Sequence, residues 1–101
     1  MIIRDASVQL QRDKEAEALA LLQEIVAYND AHWPAPIPRQ VSVTITGDWG
    51  RVHLLAVRES LAEGEREEAE QGADGTLKAL VQKFNALTVP GSGRTELRRV
   101  V

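Results

Sequence analysis

The sequence predicts an α+β domain in which one four-stranded antiparallel sheet carries its helices on a single face. Three observations predict it. Apolar residues alternate at a period of two in four short segments, the signature of half-buried strands. Between them lie stretches whose apolar residues recur at three and four, the period of amphipathic helices. The two middle strands are separated only by a glycine-bounded turn, which makes them a hairpin.

The first strand covers residues 2–10, with Ile2, Ala6, Val8 and Leu10 on one face and Asp5, Ser7, Gln9 and Gln11 on the other. From Asp13 the period changes: Ala18, Leu22, Ile25 and Val26, with Leu19, Leu21 and Tyr28, fall at helical spacing, so residues 13–32 form a helix capped by Asp13. His32 closes that helix, where the helix dipole favours a cation. Pro34, Pro36 and Pro38 cannot continue it, and Trp33 to Pro38 is a stiff connector. Val41, Val43 and Ile45 alternate with Ser42, Thr44 and Thr46; then Gly47-Asp48-Trp49-Gly50 turns the chain into Val52 to Val57. Ser60 with Glu63 reads as a capping box opening a helical stretch interrupted around Gly72 and Gly75. Leu77, Leu80, Val81, Phe84 and Leu87 place the main packing helix of this half at residues 75–87. Val89-Pro90-Gly91-Ser92-Gly93 ends it. The last strand, Arg94 to Val101, puts Thr95, Leu97, Arg99 and Val101 on one face and Glu96, Arg98 and Val100 on the other.

With 101 residues, 44% of them hydrophobic, the chain has the size of one domain spanning residues 1–101. Twelve basic against fifteen acidic residues leave a net charge of −3, with no cationic stripe to displace phosphate counterions, so a nucleic-acid partner is not expected. Without cysteine there is neither a disulfide scaffold nor a zinc–cysteine cluster. No apolar run approaches the roughly 20 residues that span a bilayer, and the N-terminus lacks the order of a signal peptide. A cytoplasmic protein without membrane contact is expected.

The order β-α-β-β-α-β is the split βαβ arrangement of the ferredoxin-like fold. One sheet face then lies under the helices and the other has no cover within the chain. Two sheets packed face to face would remove that exposure, and small domains gain most from a shared interface. A homodimer is therefore expected. If Gly47 opposes Gly50, then Ile45 faces Val52, Val43 faces Leu54 and Val41 faces Ala56, a wholly apolar set for the helix side. Thr44 facing His53 and Ser42 facing Leu55 fall on the uncovered face with Val57, Asp5, Ser7 and Gln9. That mixture reads as a pocket lining.

The segment Gly47-Asp48-Trp49-Gly50-Arg51-Val52-His53-Leu54, running into Glu59-Ser60-Leu61-Ala62-Glu63, resembles the dimeric α/β-barrel superfamily, and more narrowly its NIPSNAP-like and antibiotic-biosynthesis-monooxygenase-like members. The closing Arg94-Thr95-Glu96-Leu97-Arg98-Arg99-Val100-Val101 is similar to the final strand of those proteins. The resemblance implies a homodimer whose sheets form a barrel, with a ligand cavity between each sheet and its own helices or within the barrel. Relatives include cofactor-free monooxygenases and cyclases of secondary metabolism as well as haem proteins; the haem pattern of asparagine, tryptophan and axial histidine does not map onto this chain. Fold alone does not choose among these activities.

His53 is the candidate catalytic residue, because imidazole titrates near neutrality and serves as acid or base. Its bland alternative is a sheet histidine hydrogen-bonded to Thr44. Trp33, Trp49 and Tyr28 are three of the four aromatic residues and could wall a planar ligand, although each has an ordinary packing role open to it. Thr44, Ser7 and Asp5 complete the candidate ligand-binding set, with Asp5 able to orient the His53 ring. The two histidines share neither an element nor an i, i+4 spacing, so no metal site is expected. Gly91-Ser92-Gly93 lacks the following lysine of a phosphate loop, and neither Ser60 nor Ser92 has a triad partner. No cofactor is expected. The acidic residues between Glu59 and Asp74, opposed only by Arg66, read as a solvated helix surface. Two functions remain: a homodimeric barrel that binds an apolar or aromatic small molecule and performs a cofactor-free oxidation or cyclisation, or a non-catalytic dimeric binding or accessory domain.

Overall fold

A computed structural model describes residues 1–101. The elements are β1 (Ile2–Gln9), α1 (Glu15–His32), β2 (Gln40–Val43), β3 (Arg51–Arg58), α2 (Leu61–Ala73), α3 (Gly75–Asn85) and β4 (Arg94–Arg99). The strands form one sheet in the order β2-β3-β1-β4, antiparallel throughout, which is the ferredoxin-like arrangement. The helical stretch before β4 is two helices, broken at Asp74, which ends α2 and caps α3 by accepting a hydrogen bond from the Leu77 amide. Ser60 caps α2 through the Glu63 amide, as the capping box requires.

Two local expectations are corrected. Lys14, not Asp13, stands at the N-cap of α1, and no side chain caps that end. The hairpin register is displaced by two residues: Val43 faces Val52, Val41 faces Leu54, Ser42 faces His53 and Gln40 faces Leu55. The cause is the turn. The ladder closes at the Thr44 amide bonding the Arg51 carbonyl at 2.9 Å, and residues 45–50 form a longer loop. Gly47 and Gly50 take positive φ within it, 96° and 81°, conformations that side chains with a Cβ resist. Ile45, expected on the helix side, is therefore in the loop and 83% exposed. A shift of two preserves which face each residue occupies, so the division of the two faces stands.

The core joins Leu10, Val52 and the partly buried Val8 of the sheet side to Ala18, Leu22 and Ile25 of α1 and to Leu77 and Phe84 of α3. Its helix periodicities are those of the sequence, and the period-two alternation of β3 delivers Val52, Leu54 and Ala56 to the same side. The other end of the sheet lies beneath α2 and is built differently. No residue of α2 is buried. Beneath it, Arg58 and Arg39, with side chains 6% and 2% exposed, both bond to Glu67, and Arg39 also pairs with Asp30 at 2.5 Å. Arg4 Nε lies 3.1 Å from Glu68, an ion pair without aligned hydrogen-bond geometry. The acidic stretch is thus only partly a solvated surface: Glu67 and Glu68 bind α2 to arginines of the sheet and of the connector. No helix is long and apolar enough to cross a membrane.

Candidate active site on the open sheet face

The face of the sheet opposite the helices divides into two ends. Toward one end Ile3, Leu55 and Val57 are partly buried and apolar. Toward the other lies a cavity of about 440 Å³ lined entirely by polar residues, among them Asp5, Ser7, Thr44, Arg51, His53 and Arg94. Alternation along β1 and β3 sends Asp5, Ser7, Arg51 and His53 to this face, and the β1–β4 pairing of Ser7 with Arg94 and Asp5 with Glu96 completes the floor.

His53 stands at the centre. Its Nδ1 is 3.1 Å from Asp5 Oδ1, and its Nε2 is 3.1 Å from Thr44 Oγ1. A carboxylate only accepts, so the arrangement places the imidazole proton on Nδ1 and makes Nε2 the acceptor of the Thr44 hydroxyl. Asp5 Oδ2 is 3.5 Å from the Arg98 guanidinium, which is bonded to Glu96 at 2.6 Å and held above its ordinary pKa chiefly by that contact. The side chains of His53 and Asp5 are 29% and 21% exposed, sheltered yet reachable. Such a His–carboxylate pair, with one imidazole nitrogen directed at an exchangeable hydroxyl, has the geometry of a general base.

The rim of the cavity is tied by Arg51. Its guanidinium donates to Ser7 Oγ at 2.9 Å and to the Ser92 carbonyl at 2.9 Å, joining β3 to β1 and to the loop before β4. Its Nε is buried without a hydrogen-bond partner, 3.7 Å from Asp48.

Of the sequence-derived candidates, Asp5, Ser7, Thr44 and His53 converge in this cavity. Tyr28 and Trp33 do not. They sit at the end of α1 on the opposite side of the sheet, with Tyr28 stacked on His32 at 4.0 Å and donating to Asp74 at 2.8 Å, and Trp33 donating to Glu70 at 2.8 Å. Trp49 lies in the hairpin loop, 60% exposed, its carbonyl accepting from Gln9. The aromatic walls expected around His53 are thus absent from the cavity lining, because Tyr28 and Trp33 belong to the end of the helix on the covered side of the sheet and Trp49 to the exposed hairpin loop. Arg51, Arg94, Glu96 and Arg98 join the site beyond the expected set; for Arg51 the signal is the alternation of β3, which puts it on the face of His53, and for the others that of β4 against β1, which puts all even-numbered β4 residues on the Asp5 face. A second cavity of about 120 Å³ lies on the helix side under α2, walled by Ile2, Leu54, Ala56 and Leu97 and by Arg4 and Arg58. No set of three or more His, Asp or Glu side chains converges as metal ligands do.

No family model matches the chain, and no curated protein does. Solved structures do. A NIPSNAP family protein from Agrobacterium tumefaciens superposes with a TM-score of 0.84 at 18% identity, over 99% of this chain and 92% of that one. A NIPSNAP domain protein from Burkholderia xenovorans gives 0.81 at 10% identity, over 100% and 95%. An antibiotic biosynthesis monooxygenase gives 0.77 at 18% identity, over 100% and 99%. These likenesses show the fold, over essentially the whole domain.

Proposed function

From the fold shared with NIPSNAP-family and antibiotic-biosynthesis-monooxygenase proteins, we propose that this chain works as a homodimer that binds a small organic molecule on its open sheet face and removes a proton from it with His53. The observation that carries the reading is the hydrogen-bonded line Asp5–His53–Thr44 in the floor of a cavity large enough for a ligand.

Asp5 accepts the Nδ1 proton and fixes the tautomer, leaving the Nε2 lone pair as base. Rotation of Thr44 about χ1 releases Nε2 to the ligand. Transfer of a proton from an acidic C–H or O–H to Nε2 leaves the ligand an enolate or phenolate and His53 an imidazolium, whose charge Asp5 offsets. Formation of such an anion is the step common to cofactor-free oxygenation and to cyclisation, and no cofactor enters it. Several solved neighbours carry a monooxygenase name, which supports oxidation as the chemistry that follows. The apolar or aromatic part of the ligand rests against Leu55, Ile3 and Val57, and the second copy's sheet covers both ends of the face.

The reading is tested with thermal shift against a panel of phenols, quinones and keto acids, because a ligand of the native state raises its melting temperature by mass action. For a stabilising compound, exchange of its acidic proton into D2O is followed by NMR. His53→Ala is expected to slow that exchange by about a hundredfold or more while the dimer persists. Unchanged exchange would remove His53 from the chemistry. If no compound shifts the transition, the second reading gains: a dimeric accessory domain, favoured by the full hydrogen bonding of His53 to its own neighbours.

A further inference from the structure

The charges around the cavity are unevenly committed. Three carboxylates line it, Asp5, Asp48 and Glu96. Asp5 is held by His53 and Arg98, and Glu96 by Arg98. Asp48 alone faces the two arginines of the lining. Its carboxylate lies 3.5 Å from Arg94 and 3.7 Å from Arg51, within ion-pair distance of both guanidinium groups and hydrogen-bonded to neither, although the Asp48 backbone carbonyl accepts from the Arg51 amide at 3.1 Å. Arg94 makes no other ion pair and is 70% exposed, whereas Arg51 is 7% exposed and keeps an unpartnered Nε. A buried guanidinium N–H without an acceptor is costly, and arginine is the side chain best matched to a carboxylate.

We propose that the Arg51–Arg94 end of the cavity is a carboxylate subsite, so that the ligand is a small organic acid whose head displaces Asp48 from the two arginines. The inference rests on the proton-transfer reading of His53 and names the class of molecule it takes. Spacing supports it. Arg51, His53 and Leu55 follow one another on one face of β3 at two-residue intervals, each about 7 Å along the strand. A carboxylate at Arg51 and Arg94 therefore directs the chain behind it along the sheet toward the His53 ring, and a ring or chain beyond that against Leu55 and Val57. The face is laid out in that sequence: anion, base, apolar surface. Asp48 occupies the head-group position from within the chain, which shows that the site tolerates a carboxylate there, and its loose geometry makes it replaceable.

The test compares 3-phenylpropionate with 3-phenylpropan-1-ol, which differ in the head group alone, titrated into the isotope-labelled dimer by NMR. Wild type, Arg94→Gln and Asp48→Asn are compared; Arg94 and Asp48 are both exposed, so neither change threatens the fold. The acid is expected to bind about tenfold or more tighter than the alcohol, to lose about tenfold in Arg94→Gln, to gain in Asp48→Asn, and to shift the His53 ring resonances. Equal binding of acid and alcohol, indifferent to Arg94→Gln but still shifting His53, overturns the subsite and leaves the His53 reading standing. Acid binding that depends on Arg94 and leaves His53 unshifted keeps the subsite and overturns the base. Absence of any shift at either residue with either probe overturns both.

Discussion

Asp5 and His53 are not cross-strand partners, yet the carboxylate and the imidazole meet at 3.1 Å. Leu55 stands opposite Asp5 and Ser7 opposite His53, so the contact runs diagonally across the β1–β3 ladder. Diagonal same-face neighbours in an antiparallel pair lie about 7–8 Å apart at the backbone, within the combined reach of these side chains. The pair is thus a product of register, and the base proposed for His53 requires the carboxylate to be ionised and close.

Asp5→Asn tests that dependence. The substituted amide keeps the shape and loses the charge, so the Nδ1–H tautomer is no longer imposed on His53. Long-range proton–nitrogen NMR of the imidazole is expected to show the Nε2–H form rising, and proton abstraction from a bound ligand to fall about a hundredfold. An unchanged tautomer would mean that Thr44, not Asp5, orients the ring.

The apolar end of the open face predicts the state of assembly. Light scattering across a dilution series is expected to give twice the mass of one chain for the wild-type protein. Leu55→Asp puts a charge among Ile3 and Val57 and is expected to give the single-chain mass with the circular dichroism of the fold retained. A wild-type monomer at all concentrations would leave this face without the cover proposed for it.

Glu67 is the anion on which α2 depends. Its side chain, 14% exposed, serves Arg39 and Arg58, which are more deeply buried than it is. Glu67→Gln leaves the buried Arg58 guanidinium without a neutralising charge and Arg39 with Asp30 alone, and is expected to cost about 3 kcal/mol in denaturant unfolding. Glu65→Gln, on the exposed side of the same helix, is expected to change stability by less than about 0.5 kcal/mol. Equal small effects would show that α2 is held by something other than this network.

Asp74 and Tyr28 give the fold a pH dependence with a definite sign. The Leu77 amide and then the Tyr28 hydroxyl hold the Asp74 carboxyl below its ordinary value of 3.8. That contribution is present above the unfolded-state value and is lost as pH falls through the folded one. The same hydrogen bond raises the Tyr28 phenol above 10.0, so its contribution is complete below that pH and is lost on strong alkalinisation. Melting temperature is expected to fall at the acid limb in the wild type and to fall less steeply in Asp74→Asn, which retains a capping side chain without the titrating charge. Parallel acid limbs would place the dependence elsewhere.

Periodicity was enough to assign every strand, the long first helix and the division of the sheet into a helix-covered and an open face, because side-chain direction follows from spacing in sequence, and the Ser60–Glu63 spacing was enough to place the cap of α2. It was also enough to put Asp5, Ser7, Thr44 and His53 together, since residues two apart on a strand share a face. What it left undecided were the quantities set by contacts distant in the chain. Hairpin register depends on the length of the loop that closes it, and two positive-φ glycines fit a six-residue loop as well as a two-residue turn. Tyr28 and Trp33 carry the same aromatic chemistry whether they wall a ligand or bond to Asp74 and Glu70; only the packing of α1 on α2 and α3 sent them away from His53. Arg39, Arg58 and Glu67 read as surface charges until the fold buries them against one another, where desolvation makes each necessary to the others. Arg51 and Arg94 became candidates for a ligand in the same way, by the strand pairing that brings β4 alongside β1 and leaves a carboxylate within reach of both arginines but bonded to neither.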